Sequence, residues 1–189
     1  MTIGLLLMTT LAVVGAFDTL YYHEIKGRLP ARPEASPELR LHAARDGVYF
    51  ILFATLPWFE WRGAWTTVLV SLFVAEIVIT LNDFVLEDKV RRPQGGVFPG
   101  ERVAHAVMGI VYGSMLAAMA PSLVEWMSEP AGIVLANYSL PGWYLYGLTV
   151  MGAGTLLSGI RDLYASAGLP GGSFPWQPIP EPVCELLDA

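Results

Sequence analysis

Glu38-Leu39-Arg40-Leu41-His42-Ala43 returns 63 residues later as Glu101-Arg102-Val103-Ala104-His105-Ala106. The same offset carries Glu24, Lys26, Arg28 and Pro30 onto Glu87, Lys89, Arg91 and Pro93, Val48-Tyr49 onto Val111-Tyr112, and Ala54 onto Ala117. Residues 24–54 show ten identities in 31 ungapped positions; unrelated sequence of ordinary composition gives roughly two. Apolar stretches precede and follow each copy. The repeat therefore reads as two helix hairpins in tandem, each a descending helix, a basic loop and a returning helix.

Composition places those hairpins in a membrane. Of 189 residues, 54% are hydrophobic and 15% charged, with a mean hydropathy of +0.49. A soluble domain carries about a quarter charged residues. That shortage excludes a disordered chain and most soluble enzymes. The net charge of −6 argues against a nucleic-acid partner, which needs a basic face. One cysteine, Cys184, excludes a disulfide framework and a thiolate zinc cluster.

About 20 apolar residues cross a bilayer core as a helix. Five segments meet that length, at 2–22, 39–59, 64–86, 103–124 and 141–164. The second must begin at Ser36-Pro37, an N-cap followed by a first-turn proline, which draws His42, Arg45 and Asp46 to the membrane boundary. The expected fold is all-α: a polytopic membrane protein with five transmembrane helices. Repeat 1 (about 1–59) and repeat 2 (about 64–124) form a four-helix bundle, and a peripheral fifth helix completes one transmembrane domain over 1–165. Parallel repeats of this kind are related by a pseudo-twofold axis along the membrane normal.

Ten of the eleven Lys and Arg fall on one side of the alternating five-span topology; Arg62 is the exception. By the positive-inside rule the N-terminus lies outside and the C-terminus in the cytoplasm, in the inner membrane if the protein is bacterial. Residues 1–17 lack the basic start of a signal peptide and read as a retained helix. The Gly- and Pro-rich residues 166–189 read as a disordered cytoplasmic tail, with Cys184 inert.

A bundle with such an axis turns equivalent residues towards each other. Glu24, Glu38 and His42 from one half would then meet Glu87, Glu101 and His105 from the other. Within each half Glu and His are four apart and share a helix face. Four carboxylates and two imidazoles resemble the ligand set of di-metal carboxylate bundles, where six such groups hold two iron or manganese ions. The usual pair there is Glu-x-x-His; here both copies read Glu-x-x-x-His. Asp18 and Asp46 lie near the same level. Glu76, Thr80, Asp83 and Glu87 form a polar stripe on the third helix, with Glu76 near mid-membrane, where an ionisable group is costly unless paired or functional. Tyr49 and Tyr112, seven residues after each histidine, could donate hydrogen bonds to a site or carry a radical.

The resulting expectation is a membrane-bound, metal-dependent oxidoreductase that oxidises, hydroxylates or desaturates a lipid-soluble substrate. Its cofactor would be two Fe or Mn ions, with Tyr49, Tyr112, Glu76 and Asp83 as catalytic candidates and a separate electron donor. Other readings use the same residues. Glu76 and Asp83 suit proton or divalent-cation transport. His42 and His105 could ligate a b-type haem, though the acid crowd suits a hard cation better. Lys26, Arg28, Lys89 and Arg91 could clamp a lipid headgroup in a binding protein or non-catalytic subunit. Singly, each residue also has a structural role available, such as an i, i+4 ion pair, a membrane anchor or a first-turn acid. Phosphate-loop, dinucleotide, serine-hydrolase and zincin motifs are absent from the sequence.

Overall fold

Helix α1 (Thr2–Phe17) runs on without a break into ten residues of π-helix, Asp18–Gly27. The winding ends at Arg28, which adopts a left-handed conformation (φ 50°). Short 3-10 turns at Leu29–Ala31 and Pro33–Ala35 lead into α2 (Ser36–Thr55). Three further helices follow: α3 (Ala64–Val90), α4 (Pro99–Ser128) and α5 (Gly142–Ser166). These coordinates are a computed structural model and describe residues 1–179. Among the described residues the fold is mostly helical. Two four-residue strands, β1 (Phe59–Arg62) and β2 (Gly132–Leu135), pair antiparallel with Phe59 opposite Leu135, tying the α2–α3 connection to the α4–α5 connection.

Local sequence explains the helix ends. Pro37 and Pro99 occupy first-turn positions, where the missing N–H is not needed. Ser36 is not the N-cap expected of it; Ala35 holds that place, and the Ser36 hydroxyl donates to the Ser166 carbonyl at the end of α5. Gly63 sits at φ 57° before α3, and a Cβ there would lie 2.7 Å from Ala131 backbone, so the turn requires glycine.

Three helical segments are long and apolar enough to cross a membrane: Thr2–Ala31 including the π-helix, Ala64–Val90 and Pro99–Ser128. The sequence predicted five. α2 falls short because Glu38, Arg40, His42, Arg45 and Asp46 crowd its first half, and α5 because glycine and hydroxyl residues dilute it. The surface nevertheless has the inverted pattern of a membrane protein. Val85, Ile110 and Val124 are 67%, 70% and 71% exposed, whereas Glu38, Arg91 and Glu101 are fully buried. Water-soluble chains bury the first kind of residue and expose the second.

α5 packs on one side of the other helices, and most of its residues are exposed or half-buried. It lies along α2 in the most extensive helix contact of the fold, as α1 does along α4 to a lesser extent. Glycines make the α2–α5 approach close: a Cβ on Gly152 would stand 2.9 Å from Phe53 Cβ, and one on Gly159 2.9 Å from Asp46 Cβ. Leu5, Met8, Leu52, Leu69, Met115 and Met119 form the centre of the apolar core, away from the ionisable residues. After α5 the chain folds back. The Trp176 indole donates to Glu24 Oε2 at 3.2 Å, the Arg28 guanidinium lies 4.9 Å above the Trp176 ring, and Ile179 N–H donates to the Ala31 carbonyl at 2.7 Å. The tail up to residue 179 thus contacts the fold, while Cys184 and the remaining tail lie outside the described residues.

Candidate metal centre

The π-helix decides which side chains meet. In an α-helix, residues five apart point about 140° from each other. Hydrogen bonding from i to i+5 stacks them instead, and Asp18 and His23 both turn inward. Both are buried, and so are His42 and His105; the chain has three histidines, and all three lie together. The His23 and His42 rings stack with centroids 4.6 Å apart, and the His23 and His105 rings meet edge-on at 6.4 Å.

Two groups of potential ligands share His105: Asp18, His23 and His105, and Glu87, Glu101 and His105. Asp18 Oδ2 lies 3.3 Å from His23 Nε2 and 3.2 Å from His105 Nε2. The other ring nitrogen of His105, Nδ1, lies 3.6 Å from Glu87 Oε1. Glu101 Oε1 lies 3.2 Å from His23 Nε2, linking the two groups. Neither close contact of His23 Nε2 has hydrogen-bond geometry, and Asp18 Oδ1 and Glu87 Oε2 are also buried without a hydrogen-bond partner among the described residues. Oxygen and nitrogen ligands about 2.1 Å from one ion, with angles near 90–109°, lie roughly 3.0–3.4 Å apart. The spacing around Asp18 falls within that interval.

Arg91, just past the end of α3, closes one side of the cluster. Its Nε donates to both Glu38 oxygens at 3.0 Å, and its Nη2 donates to Glu38 Oε1 at 2.7 Å and Glu101 Oε1 at 3.0 Å. Burial opposes the charge on Arg91, but the hydrogen bonds it donates to Glu38 and the charges of Glu38 and Glu101 outweigh it and raise its pKa. Glu101 Oε2 accepts from Phe98 N–H, capping α4. One carboxylate therefore starts a helix, pairs with an arginine and faces a histidine.

His42 belongs to a neighbouring network. Its Nε2 lies 3.2 Å from Asp83 Oδ2 and its Nδ1 3.7 Å from Asp162 Oδ2 on α5. Arg45 donates to the same Asp83 oxygen at 3.1 Å. Deeper in the fold, Tyr49 and Thr80 donate to Glu76 Oε1 at 2.8 and 2.9 Å, and Tyr112 donates to the Phe73 carbonyl at 3.2 Å. Asp46 faces Gly159 at the α2–α5 contact.

Of the six ligands suggested by the repeat, Glu87, Glu101 and His105 lie in the two groups. Glu38 is held by Arg91, 3.9 Å from His42 Nε2. Glu24 points elsewhere, to Arg161 Nη1 at 2.5 Å and to Trp176. Asp18 and His23 take the place the repeat gave to Glu24. Among the headgroup candidates, Lys26 lies over the Tyr21 and Phe98 rings, Arg28 over Trp176, and Arg91 is fully buried; Lys89 is exposed. His23 and Asp162 were not singled out from the sequence. The signal available for His23 was scarcity, since a chain with three histidines had already committed two of them.

No protein-family model, curated protein or solved structure matches the chain.

Proposed function

We propose that this chain is an integral membrane oxidoreductase that uses two transition-metal ions, iron or manganese, at the His23–His105 cluster. One ion would be held by Asp18, His23 and His105 Nε2, the other by Glu87, Glu101 and His105 Nδ1. Carboxylate and imidazole ligands suit these metals, and three protein ligands per ion leave positions open for an oxidant or substrate. The observation that carries this reading is the convergence of every histidine in the chain on buried carboxylates, with spacing around Asp18 fit for a metal and with orphaned buried atoms on Asp18, His23 and Glu87.

The membrane arrangement belongs to the same proposal. All five helices span, α2 and α5 being shielded from lipid in part by each other, with the N-terminus outside and the C-terminus cytoplasmic. α1–α4 form the two tandem hairpins. The substrate is lipid-soluble and enters from the bilayer; dioxygen is the oxidant, and a separate donor supplies electrons. The residues of the chain orient and exclude water. Arg91 fixes Glu38 and Glu101, Asp83 and Asp162 fix His42, and His42 stacks on His23. Tyr49 and Glu76, between the cluster and the apolar core, can hold a proton for the reaction.

A b-type haem between His42 and His105 fits less well, because the His23 ring stacks on His42 in that space. Transport is also less supported, since Leu5, Leu69, Phe73 and Met119 seal the core beyond Glu76. The test is turnover. Protein loaded anaerobically with iron or manganese, placed in lipid vesicles and given dioxygen and a chemical reductant, should yield hydroxylated or desaturated lipid by mass spectrometry. The His105→Gln variant should yield none. Unmodified lipid from a fully metal-loaded wild type would remove the oxidoreductase reading.

A further inference from the structure

A second feature lies back to back with the cluster. The first turns of α2 and the last turns of α3 border an open groove of about 500 Å3. Leu41 forms one wall, Val78, Val85 and Leu86 the other, and Arg40 and Lys89 stand at its charged end. Val78 and Lys89 are eleven residues apart, so the groove runs along roughly 16 Å of α3. α3 is one of the three segments apolar enough to cross a membrane, which puts this wall at lipid depth. The residues beside those of the wall are buried: Glu87, after Leu86, in the cluster, and His42, after Leu41, in the network next to it.

The charges at the mouth set this groove apart from the rest of the lipid-facing surface. Most cations of the basic side are engaged: Arg32 with Glu34, Arg45 with Asp83, Arg91 with Glu38, Arg92 with Asp88, Arg161 with Glu24, and Lys26 and Arg28 over aromatic rings. Arg40, Lys89 and Arg102 are exposed and have no ion-pair partner among the described residues. Two of these three flank the same apolar groove. An apolar trough ending in two cations without an ion-pair partner among the described residues complements an amphiphile with an anionic head.

We infer that the α2–α3 groove binds an anionic phospholipid of the surrounding bilayer, one acyl chain lying against Leu41, Val78 and Val85 and the phosphate between Arg40 and Lys89. This rests on the membrane reading above and narrows its lipid-soluble substrate to an acyl chain carried on an acidic headgroup.

The full chain, equilibrated in vesicles of phosphatidylcholine mixed with phosphatidylglycerol and then extracted, is assayed for retained lipid by mass spectrometry. Wild type should enrich phosphatidylglycerol on the order of 10-fold over the bilayer, as two nearby cations allow. Arg40→Gln with Lys89→Gln should abolish the enrichment. Arg102→Gln removes a free cation away from the groove and should keep it. Val78→Trp fills the trough with both cations intact and should lose it. Equal losses in the Arg102→Gln protein and the double variant would reduce the effect to general surface charge and overturn the inference, as would full enrichment in Val78→Trp. Metal content is read on the same samples. Phosphatidylglycerol enrichment by wild type that stays metal-free after anaerobic loading with iron and manganese would remove the metal reading and leave the groove standing.

Discussion

His105 Nε2 lies 3.2 Å from Asp18 Oδ2, although 87 residues separate the two in sequence. With His23 Nε2 3.3 Å from the same oxygen, the contact joins α4 to the π-wound end of α1 and gives the cluster its tightest group. The π winding is what permits it. Regular α-helix through residue 27 would turn His23 about 140° away from Asp18.

This geometry separates His23 from Glu24, which adjoins it in sequence. His23→Gln should lower the metal bound by the purified protein by about one ion per chain. Glu24→Gln should leave the metal unchanged and loosen only the contact with Arg161 and Trp176. Elemental analysis of the two variants beside wild type decides it, and loss of metal in Glu24→Gln alone would restore the ligand set read from the repeat.

The two repeated histidines are not equivalent. His105 faces both ligand groups, whereas His42 faces Asp83 and Asp162 and meets the cluster through its stacked ring. His105→Gln should abolish binding of both ions. His42→Gln should keep the stoichiometry at saturation and weaken affinity roughly 10-fold, as loss of a supporting group does. Competitive titration with a chelator measures both, and equal losses would return the symmetric site.

Arg91 holds two buried carboxylates. Arg91→Met would leave Glu38 and Glu101 without their cation, at a cost of about 3–5 kcal/mol. Thermal unfolding in detergent should show a large drop in midpoint. Arg91→Lys should recover part of it, because lysine supplies the charge but not the bidentate fork. The triple change Arg91→Met, Glu38→Gln, Glu101→Gln should recover more than Arg91→Met alone. A melting point unchanged by Arg91→Met would refute the clamp.

The α2–α5 contact depends on glycine at two places. Gly159→Leu or Gly152→Leu should cost about 1–3 kcal/mol or more by overpacking. Gly154→Leu, where an added Cβ meets nothing within 4 Å, should be close to neutral. The same detergent melts compare them. If all three variants behave alike, α5 does not pack on α2 through this face.

How much of this was legible in the sequence depends on which residues are asked. The helices follow from apolar runs and from prolines such as Pro37 and Pro99, and the ionisable level follows from residues such as His105 and Glu101 near helix starts. The repeat pointed to Glu87, Glu101 and His105, which do come together. It could not show that Arg91, which looks like an ordinary membrane anchor after a span, turns inward onto Glu38. It also misled at Glu24, because identity at an offset assumes equal helical winding, and α1 is π-wound where α3 is not. α5 has no repeat counterpart, so nothing in the sequence tied Asp162 to His42 or Gly159 to Asp46. The strand pair at 59–62 and 132–135 was hidden because each strand is only four residues long, at the end of an apolar helix.

The central claim is that metal sits at the His23–His105 cluster. The most direct measurement is elemental analysis with X-ray absorption on detergent-purified protein, wild type beside His105→Gln. The account predicts about two iron or manganese ions per chain, with nitrogen and oxygen ligands only, and none in the variant. A wild-type protein still free of metal after anaerobic loading with both ions, or metal retained unchanged in His105→Gln, would contradict it.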